Sequence, residues 1–434
     1  MNRVRGRRPL MRRRIFLQLS AGAAGAGILR AVGAVQPRGR IKAKVVVVGG
    51  GFAGAGCAIS LRRLNPAIEV TLVDPDDRYV TCPMSNSVLA GFRSIESISV
   101  SRLGLQRAGV NYVRDWVTSI DAQSRRARLA GGAELAYDRL VMAPGIRFLW
   151  GKPEGYSRDT AQAMPHAWQA GAQTEILAAQ LREMHDGGVV AISVPAGFMR
   201  CPPGPYERAS LIAHYLTKYK PRSKILILDA NNYFPKQPLF SDAWSRLYPN
   251  MIEWIPLTQG GTLVRVDTAT MTLFTENGAH RAAVANVIPP QAPGELAPAT
   301  GLASDHGWCP VDPRSFESTL LPNVHVIGDA CIADAMPKSA SAALSQAQHC
   351  ARAIAAALNG QEVVQPAFDS VCYGRVSPEW ALSFPGHFTI VDGRIVASPP
   401  ASPAGIELDT AAAAAASHDA ERWYTDIRAR AFAA

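Results

Sequence analysis

Residues 44–54 read Lys-Val-Val-Val-Val-Gly-Gly-Gly-Phe-Ala-Gly, and this segment restricts the fold more than any other. Four consecutive valines suit a strand buried on both faces, the situation of a parallel sheet flanked by helices. Gly49, Gly51 and Gly54 then fall at the G-x-G-x-x-G spacing. Each glycine answers a separate demand: a tight turn, close approach of a pyrophosphate, and close helix–strand packing. The spacing predicts a helix over about 53–64 whose N-terminal amides face the phosphates. A second strand, over 69–73, ends in Asp74, 25 residues after Gly49. An acid there suits a ribose 2′-hydroxyl, so the dinucleotide expected is FAD or NAD rather than NADP. Glycines alone would say little; strand, glycines, helix, strand and acid in this order say much more.

The first 34 of the 434 residues read as an address rather than as fold. Arg13-Arg14-Ile15-Phe16-Leu17-Gln18 has the twin-arginine pattern, a small-residue apolar run covers 20–28, and Val32-Gly33-Ala34 suits cleavage. Export of a folded chain to the periplasm is the expectation. It also reshapes the charge argument. Eight arginines and no acid lie in 1–34, so the formal +10 falls to +2 once they are removed. A near-neutral mature chain gives no support for nucleic-acid binding.

Seven cysteines (57, 82, 201, 309, 331, 350 and 372) are too few and too scattered for a disulfide-framework domain. None has C-x-x-C spacing, which argues against a zinc ribbon and a thioredoxin motif; C-x-x-C-H, the c-haem attachment, is absent too. No metal site is expected. Further along, 114–141 reads as short strands around Ala130-Gly131-Gly132, ending in an apolar strand and Ala143-Pro144-Gly145. Strands over 187–194 and 224–228 make a second βαβ-like unit. The segment 324–330 then brings the chain back to the cofactor, with a helix over 339–358. Two strand pieces (388–391 and 394–397) and a helix over 410–428 close the chain. The second unit runs from its first strand into Pro195-Ala196-Gly197-Phe198-Met199-Arg200-Cys201-Pro202-Pro203-Gly204-Pro205-Tyr206-Glu207. It has no glycine fingerprint, and its prolines withhold amide hydrogens that a phosphate would need. A nicotinamide donor is therefore disfavoured.

Gly49-x-Gly51-x-x-Gly54, Ala143-Pro144-Gly145 and Gly328-Asp329-Ala330, in this order, resemble the pyridine nucleotide–disulfide oxidoreductase superfamily over about residues 42–360. Within it, the chain resembles the flavoprotein subunits of flavocytochrome c sulfide dehydrogenases, relatives of the sulfide:quinone oxidoreductases. Four segments carry this: Tyr79-Val80-Thr81-Cys82-Pro83-Met84-Ser85-Asn86, Cys201-Pro202-Pro203-Gly204-Pro205-Tyr206-Glu207, Met336-Pro337-Lys338-Ser339 and Val371-Cys372-Tyr373. The resemblance implies an α/β fold with two Rossmann-like domains, glutathione-reductase-like, plus a small α+β C-terminal domain. The corresponding spans are 1–34 for the signal peptide, 41–150 and 290–360 for the FAD-binding domain, 151–289 for the second Rossmann-like domain, and 361–434 for the C-terminal interface domain.

The resemblance also implies roles. FAD would be held by Gly49, Gly51, Gly54, Asp74, Gly145, Gly328 and Asp329, with Lys338 and Ser339 at the helix end facing the isoalloxazine. Cys82 matches the cysteine that bonds to the flavin, although Pro83-Met84 after it leaves noncovalent FAD open. Cys201 and Cys372 match a redox disulfide, and Glu207 a base beside it. Cys57, Cys350, Cys309 and Cys331 read as structural. Hydrosulfide would open the disulfide and electrons would pass to the flavin, then singly to a separate c-type cytochrome subunit, with Trp380 or Trp423 near that interface. A membrane-docked sulfide:quinone oxidoreductase is the nearest rival, but the Ala-rich tail carries His, Asp, Glu and Arg, which gives weak membrane affinity. A non-catalytic scaffold would not need the cysteine pair.

Overall fold

In the computed structural model the valine run is the strand Ala43–Val48, with only Lys44 exposed. Residues 42–399 and 408–433 are described; the twin-arginine segment and its cleavage site lie outside them. The valine strand is central in a five-stranded parallel sheet, ordered Val324–Val326, Arg139–Met142, Ala43–Val48, Ile68–Val73, Asn111–Val113. Its register sets Val48 beside both Val73 and Met142, so three strands end at one level. There the Gly49 amide donates to the Val73 carbonyl at 2.9 Å, Ala143 to Val48 at 2.8 Å, and Ile327 to Met142 at 3.0 Å. The glycine turn, the Ala143–Gly145 turn and the Gly328–Ala330 segment therefore meet at the carboxyl edge. Ligands of open parallel sheets bind at such an edge.

Close packing fixes the helices over this sheet. Gly49 has φ +96°, and a methyl group on it would lie 2.3 Å from the Ala143 carbonyl oxygen. A methyl on Gly54 would lie 1.9 Å from the Gly49 oxygen, so only glycine lets the helix Phe52–Leu64 rest on the strand turn. On its other side Gly56 abuts Leu344 of the helix Ala340–Leu358; a methyl there would lie 2.6 Å from the end of that side chain, which would have to shift.

The second parallel sheet runs Ile252–Ile255, Lys224–Asp229, Val189–Val194, Val284–Val287. The helices Ala172–Glu183, Gly204–Tyr219 and Gln237–Leu247 pack around an apolar core that includes Leu177, Ile192, Ile212 and Phe240. An α/β fold with two Rossmann-like sheets is thus what the chain adopts.

The tail differs from its sequence reading. Ala367–Arg375, Ala381–Val391 and Arg394–Ala397 form an antiparallel sheet, and the last helix extends over Thr410–Phe432. The first strand and the start of the second were invisible because Gly374, Pro385 and Gly386 interrupt their alternation. The last helix puts Tyr424, Ile427, Ala431 and Phe432 into the core of the first sheet, with Phe432 edge-on to Phe52 at 5.0 Å.

The fingerprint glycines are separable by experiment. Gly54→Ala should cost about 1–3 kcal/mol by overpacking, read as a lower melting temperature. Gly51→Ala should melt as the native protein does, because its methyl would only reach ordinary contact with Tyr79 at 3.5 Å.

Candidate active site

The helix Gly204–Tyr219 begins just after Cys201, which stands at φ +54°, an uncommon conformation for a residue with a side chain. The turn is held from both sides. The Cys201 amide donates to the Lys338 carbonyl at 2.8 Å, and the Gly204 amide to the Cys201 carbonyl at 2.8 Å. Gly204 is required here: a methyl on it would lie 3.0 Å from the Cys201 sulfur and 2.7 Å from Trp168.

Cys372 arrives from the C-terminal sheet, on the strand Ala367–Arg375. The Val371 amide donates to the Ser341 hydroxyl at 3.0 Å, which pins this strand to the first turn of the helix Ala340–Leu358. Burial pushes the Cys372 thiol up, while hydrogen bonds from the Ser339 side chain and the Ser341 backbone hold it back. A helix N-terminus favours negative charge in the same direction. Among the described residues none donates to Cys201 in this way. Its thiol is pushed well above the usual range, first by burial, then by the charges of Glu207, Cys372 and Cys82, with Arg200 opposing. Of the two sulfurs, Cys372 is the better supported as a thiolate.

Glu207, in the first turn of the cysteine helix, is near enough for its charge to act on both thiols. Its carboxylate accepts from Asn86 Nδ2 at 2.7 Å and from the Arg375 amide at 3.0 Å. Burial nevertheless pushes its pKa up; the two donors pull it down. Behind it, the Arg208 guanidinium is 2% exposed. It donates to Asn86 Oδ1, Asn286 Oδ1 and the carbonyls of His166 and Ala167, all neutral acceptors, and lies over the Trp168 ring. Burial lowers its pKa to about 10. His166 is pushed down to about 3 by burial and by Arg208 and Arg200, so it stays neutral. Arg208 is therefore a fixed positive charge close to Glu207 and Cys201.

The third side of the site is built from the first sheet. Cys82 is half-buried, two residues before the Met84 cap of the short helix Ser85–Leu89. It lies within electrostatic reach of Cys201, Tyr79 and Arg200. Arg200 also faces Asp329, at 3.8 Å between Nη1 and Oδ2. Lys338 is turned inward: its ammonium donates to the carbonyls of Asp329 and Cys331 and lies 3.8 Å from the Trp308 ring centroid. Burial lowers its pKa. The structure thus gathers Cys82, Cys201, Glu207, Asp329, Lys338 and Cys372, together with Asn86, Arg200, Arg208 and Ser341, to which the sequence assigns no role. Gly49, Gly51, Gly54, Asp74 and Gly145 lie along the sheet edge. Cys309 and Cys331, whose thiols burial pushes up to about 12, and the buried Cys57 and Cys350 are packing residues.

Asp74 is held by protein partners on both oxygens. One carboxylate oxygen accepts from the Gly50 amide at 2.6 Å and the other from Arg102 at 2.6 Å. Arg102 is buried against Gly50, donates to its carbonyl, and stacks on Tyr79 and Tyr112. In this structure Asp74 braces the glycine turn. Removing either member of so buried a pair costs about 3–5 kcal/mol.

A family model for the sulfide dehydrogenase (flavocytochrome c) flavoprotein chain, central region, matches residues 174–289, and the pyridine nucleotide-disulphide oxidoreductase model matches 43–162. The flavoprotein chain of flavocytochrome c sulfide dehydrogenase from Chlorobaculum thiosulfatiphilum is 62% identical over 45 residues, 10% of this chain and 94% of that sequence. The chain belongs to the sulfide-oxidising flavoprotein family. Mouse mitochondrial sulfide:quinone oxidoreductase is 24% identical over 70% of this chain and 68% of its own. The sulfide:quinone oxidoreductase structure from Aquifex aeolicus superposes with a TM-score of 0.71 at 18% identity, covering 90% and 93% of the two chains; this likeness concerns the fold.

Membership in the sulfide-oxidising flavoprotein family implies FAD, and the residues present fit it. The helix Phe52–Leu64 has no side-chain cap on its N-terminus, so its first amides are free for a phosphate. Beyond Gly51 and Gly145 there is room: an added methyl meets nothing closer than 3.5 Å at the first and nothing within 4 Å at the second.

Glu207→Gln removes a negative charge that opposes ionisation of both thiols. In the reduced protein the pH midpoint for alkylating Cys201 and Cys372 should fall by about one unit, as measured by iodoacetamide labelling and peptide mass spectrometry.

Proposed function

We propose that this protein is a periplasmic sulfide dehydrogenase flavoprotein that oxidises hydrosulfide through a Cys201–Cys372 disulfide and FAD and delivers electrons to a c-type cytochrome subunit. The observation that carries the reading is that Cys201 and Cys372, from distant parts of the chain and free thiols in this structure, are both held at the start of the helix Ala340–Leu358, by the Lys338 carbonyl and by Ser341 respectively, beside the half-buried Glu207, which accepts from Arg375 on the Cys372 strand. The chemistry balances with these groups. Hydrosulfide attacks the disulfide: an S–S bond to one cysteine forms, the bond between the cysteines breaks, and the other leaves as thiolate. A second hydrosulfide takes the outer sulfur as a hydrodisulfide anion and frees the second thiolate. Re-forming the disulfide releases two electrons; bound FAD supplies an acceptor that takes them as a pair and releases them singly. Two hydrosulfide ions thus give one hydrodisulfide anion, one proton and two electrons. Glu207, whose pKa burial raises, is placed to hold the proton, and the donors at Cys372 favour departure of a thiolate.

Three features support a cytochrome over a quinone as acceptor. The 62%-identical relative is the flavoprotein chain of a flavocytochrome c. The leader carries the twin-arginine pattern. The final helix spends its apolar face inside the fold, on Phe52 and the first core, which leaves little for a lipid surface. Among the described residues no helix is long and apolar enough to cross a membrane.

Anaerobic mixing of the FAD-loaded protein with sulfide should bleach the flavin absorbance within one turnover, and both Cys201→Ser and Cys372→Ser should abolish the bleaching. Bleaching indifferent to both substitutions would refute the disulfide route. We further propose that Cys82 carries the flavin covalently. Flavin fluorescence should then stay with the polypeptide after denaturing electrophoresis and be lost from the Cys82→Ser protein.

A further inference from the structure

A cavity of about 600 Å³ is lined by Ser87, Phe92, Arg93, Arg375, Pro378 and Glu421, among others. It shares its wall with the active site. Ser87 follows Asn86, which holds one Glu207 oxygen, and the amide of Arg375 holds the other. Cys372 lies three residues earlier on the same strand as Arg375.

The electrostatics of the cavity are unequal. The Arg375 guanidinium, 6% exposed, donates to the Ser417 hydroxyl, the Pro378 carbonyl and Glu421 Oε1. Arg93 pairs with the other oxygen of the same carboxylate. Two cations therefore share one anion. The Glu421 side chain is 48% exposed while that of Arg93 is 22% exposed, so the carboxylate is the member free to swing out. Ser87, Ser94 and Ser97 add hydroxyls, and Phe92 and Pro378 add an apolar wall.

Size decides what such a chamber would hold. A hydrosulfide ion is close in size to a water molecule, whose share of volume is ~30 Å³, roughly a twentieth of this space. The hydrodisulfide anion released in one turn is itself a nucleophile; where it replaces one hydrosulfide in the next turn, the product gains one sulfur for one further proton and two further electrons, giving anionic chains charged at the ends and weakly polar between. We infer that this cavity receives the anionic polysulfide product, with Arg93 and Arg375 binding its charged end, Phe92 and Pro378 flanking its neutral sulfurs, and Glu421 as the counter-ion it displaces. The inference rests on the proposed sulfide oxidation.

Calorimetric titration with sodium tetrasulfide under anaerobic conditions tests it, in FAD-loaded protein carrying Cys201→Ser and Cys372→Ser so that the chain binds without reacting. Arg93→Met should weaken binding about tenfold, the scale of one charge-assisted hydrogen bond, and Arg93→Lys should restore most of it. Glu421→Gln should tighten binding, since it removes the competitor. Weakening by Arg93→Met and Glu421→Gln alike, or affinity indifferent to both, would overturn the assignment. A protein with both cysteines intact that fails to bleach with sulfide would instead refute the underlying function, and with Arg93→Met alone that first bleaching should be unchanged.

Discussion

The contact between Gly54 and the Gly49 carbonyl is the constraint from which the active site follows. Without a side chain at residue 54 the helix Phe52–Leu64 sits on the strand turn itself. That depth lets Gly56 and Cys57 meet Leu344 and Cys350 of the helix Ala340–Leu358. The late helix is thereby set with its N-terminus at the sheet's carboxyl edge. Its approach segment then does two jobs: the Lys338 carbonyl receives the Cys201 amide, and Ser339 and Ser341 bond the Cys372 sulfur. Two cysteines from different sheets are thus positioned by one helix end, whose own position a pair of glycines sets. Side chains in a close-packed interior transmit such placements with little slack.

Charge inside the site is arranged against stability. Glu207 and Arg208 are adjacent in sequence and both withdrawn from water, yet neither is directly hydrogen-bonded to the other. Asn86 stands between them, its amide NH₂ on Glu207 and its oxygen on Arg208. Burying charges without a direct partner is costly, and functional sites are where such costs are retained. Here the arrangement keeps a carboxylate with a raised pKa beside two thiols, and a cation within reach of the charge they develop. A direct Glu207–Arg208 pair would neutralise both and leave the thiols less affected by either. Asn86 keeps them apart.

The parts of the fold that are written in local sequence were legible before the structure. Four valines, three spaced glycines and a serine-capped alanine-rich helix each follow a short-range rule, and they formed within a residue or two of the expected bounds. Cys201, Glu207 and Cys372 were identified through resemblance rather than spacing, because their proximity depends on a tertiary crossing. Asn86, Arg200, Arg208 and Ser341 belong to no motif that chemistry alone would single out; each matters because of what folding sets beside it. Asp74 shows the converse. Its position after the second strand was correct, but a sequence does not say that Arg102, 28 residues later, reaches back to claim the carboxylate.

The last helix links the sulfur site to the rest of the protein. Its Tyr424 hydroxyl meets Thr81 Oγ1 at 2.7 Å, beside Cys82, and its Glu421 meets Arg375, whose amide holds Glu207. Farther along, the Phe432 carbonyl packs where a methyl on Gly104 would lie only 2.0 Å away, which fixes the end of the helix on the first domain. One helix thus touches the neighbour of the proposed flavin anchor, the frame of Glu207 and the wall of the cavity. Its inner face is apolar and committed, while its outer face carries Asp419, Arg422 and Asp426. A helix so committed cannot withdraw to meet a membrane without loosening both the Thr81 and the Arg375 contacts. The proposed soluble acceptor, met by charged side chains on the exposed face, would make no such demand.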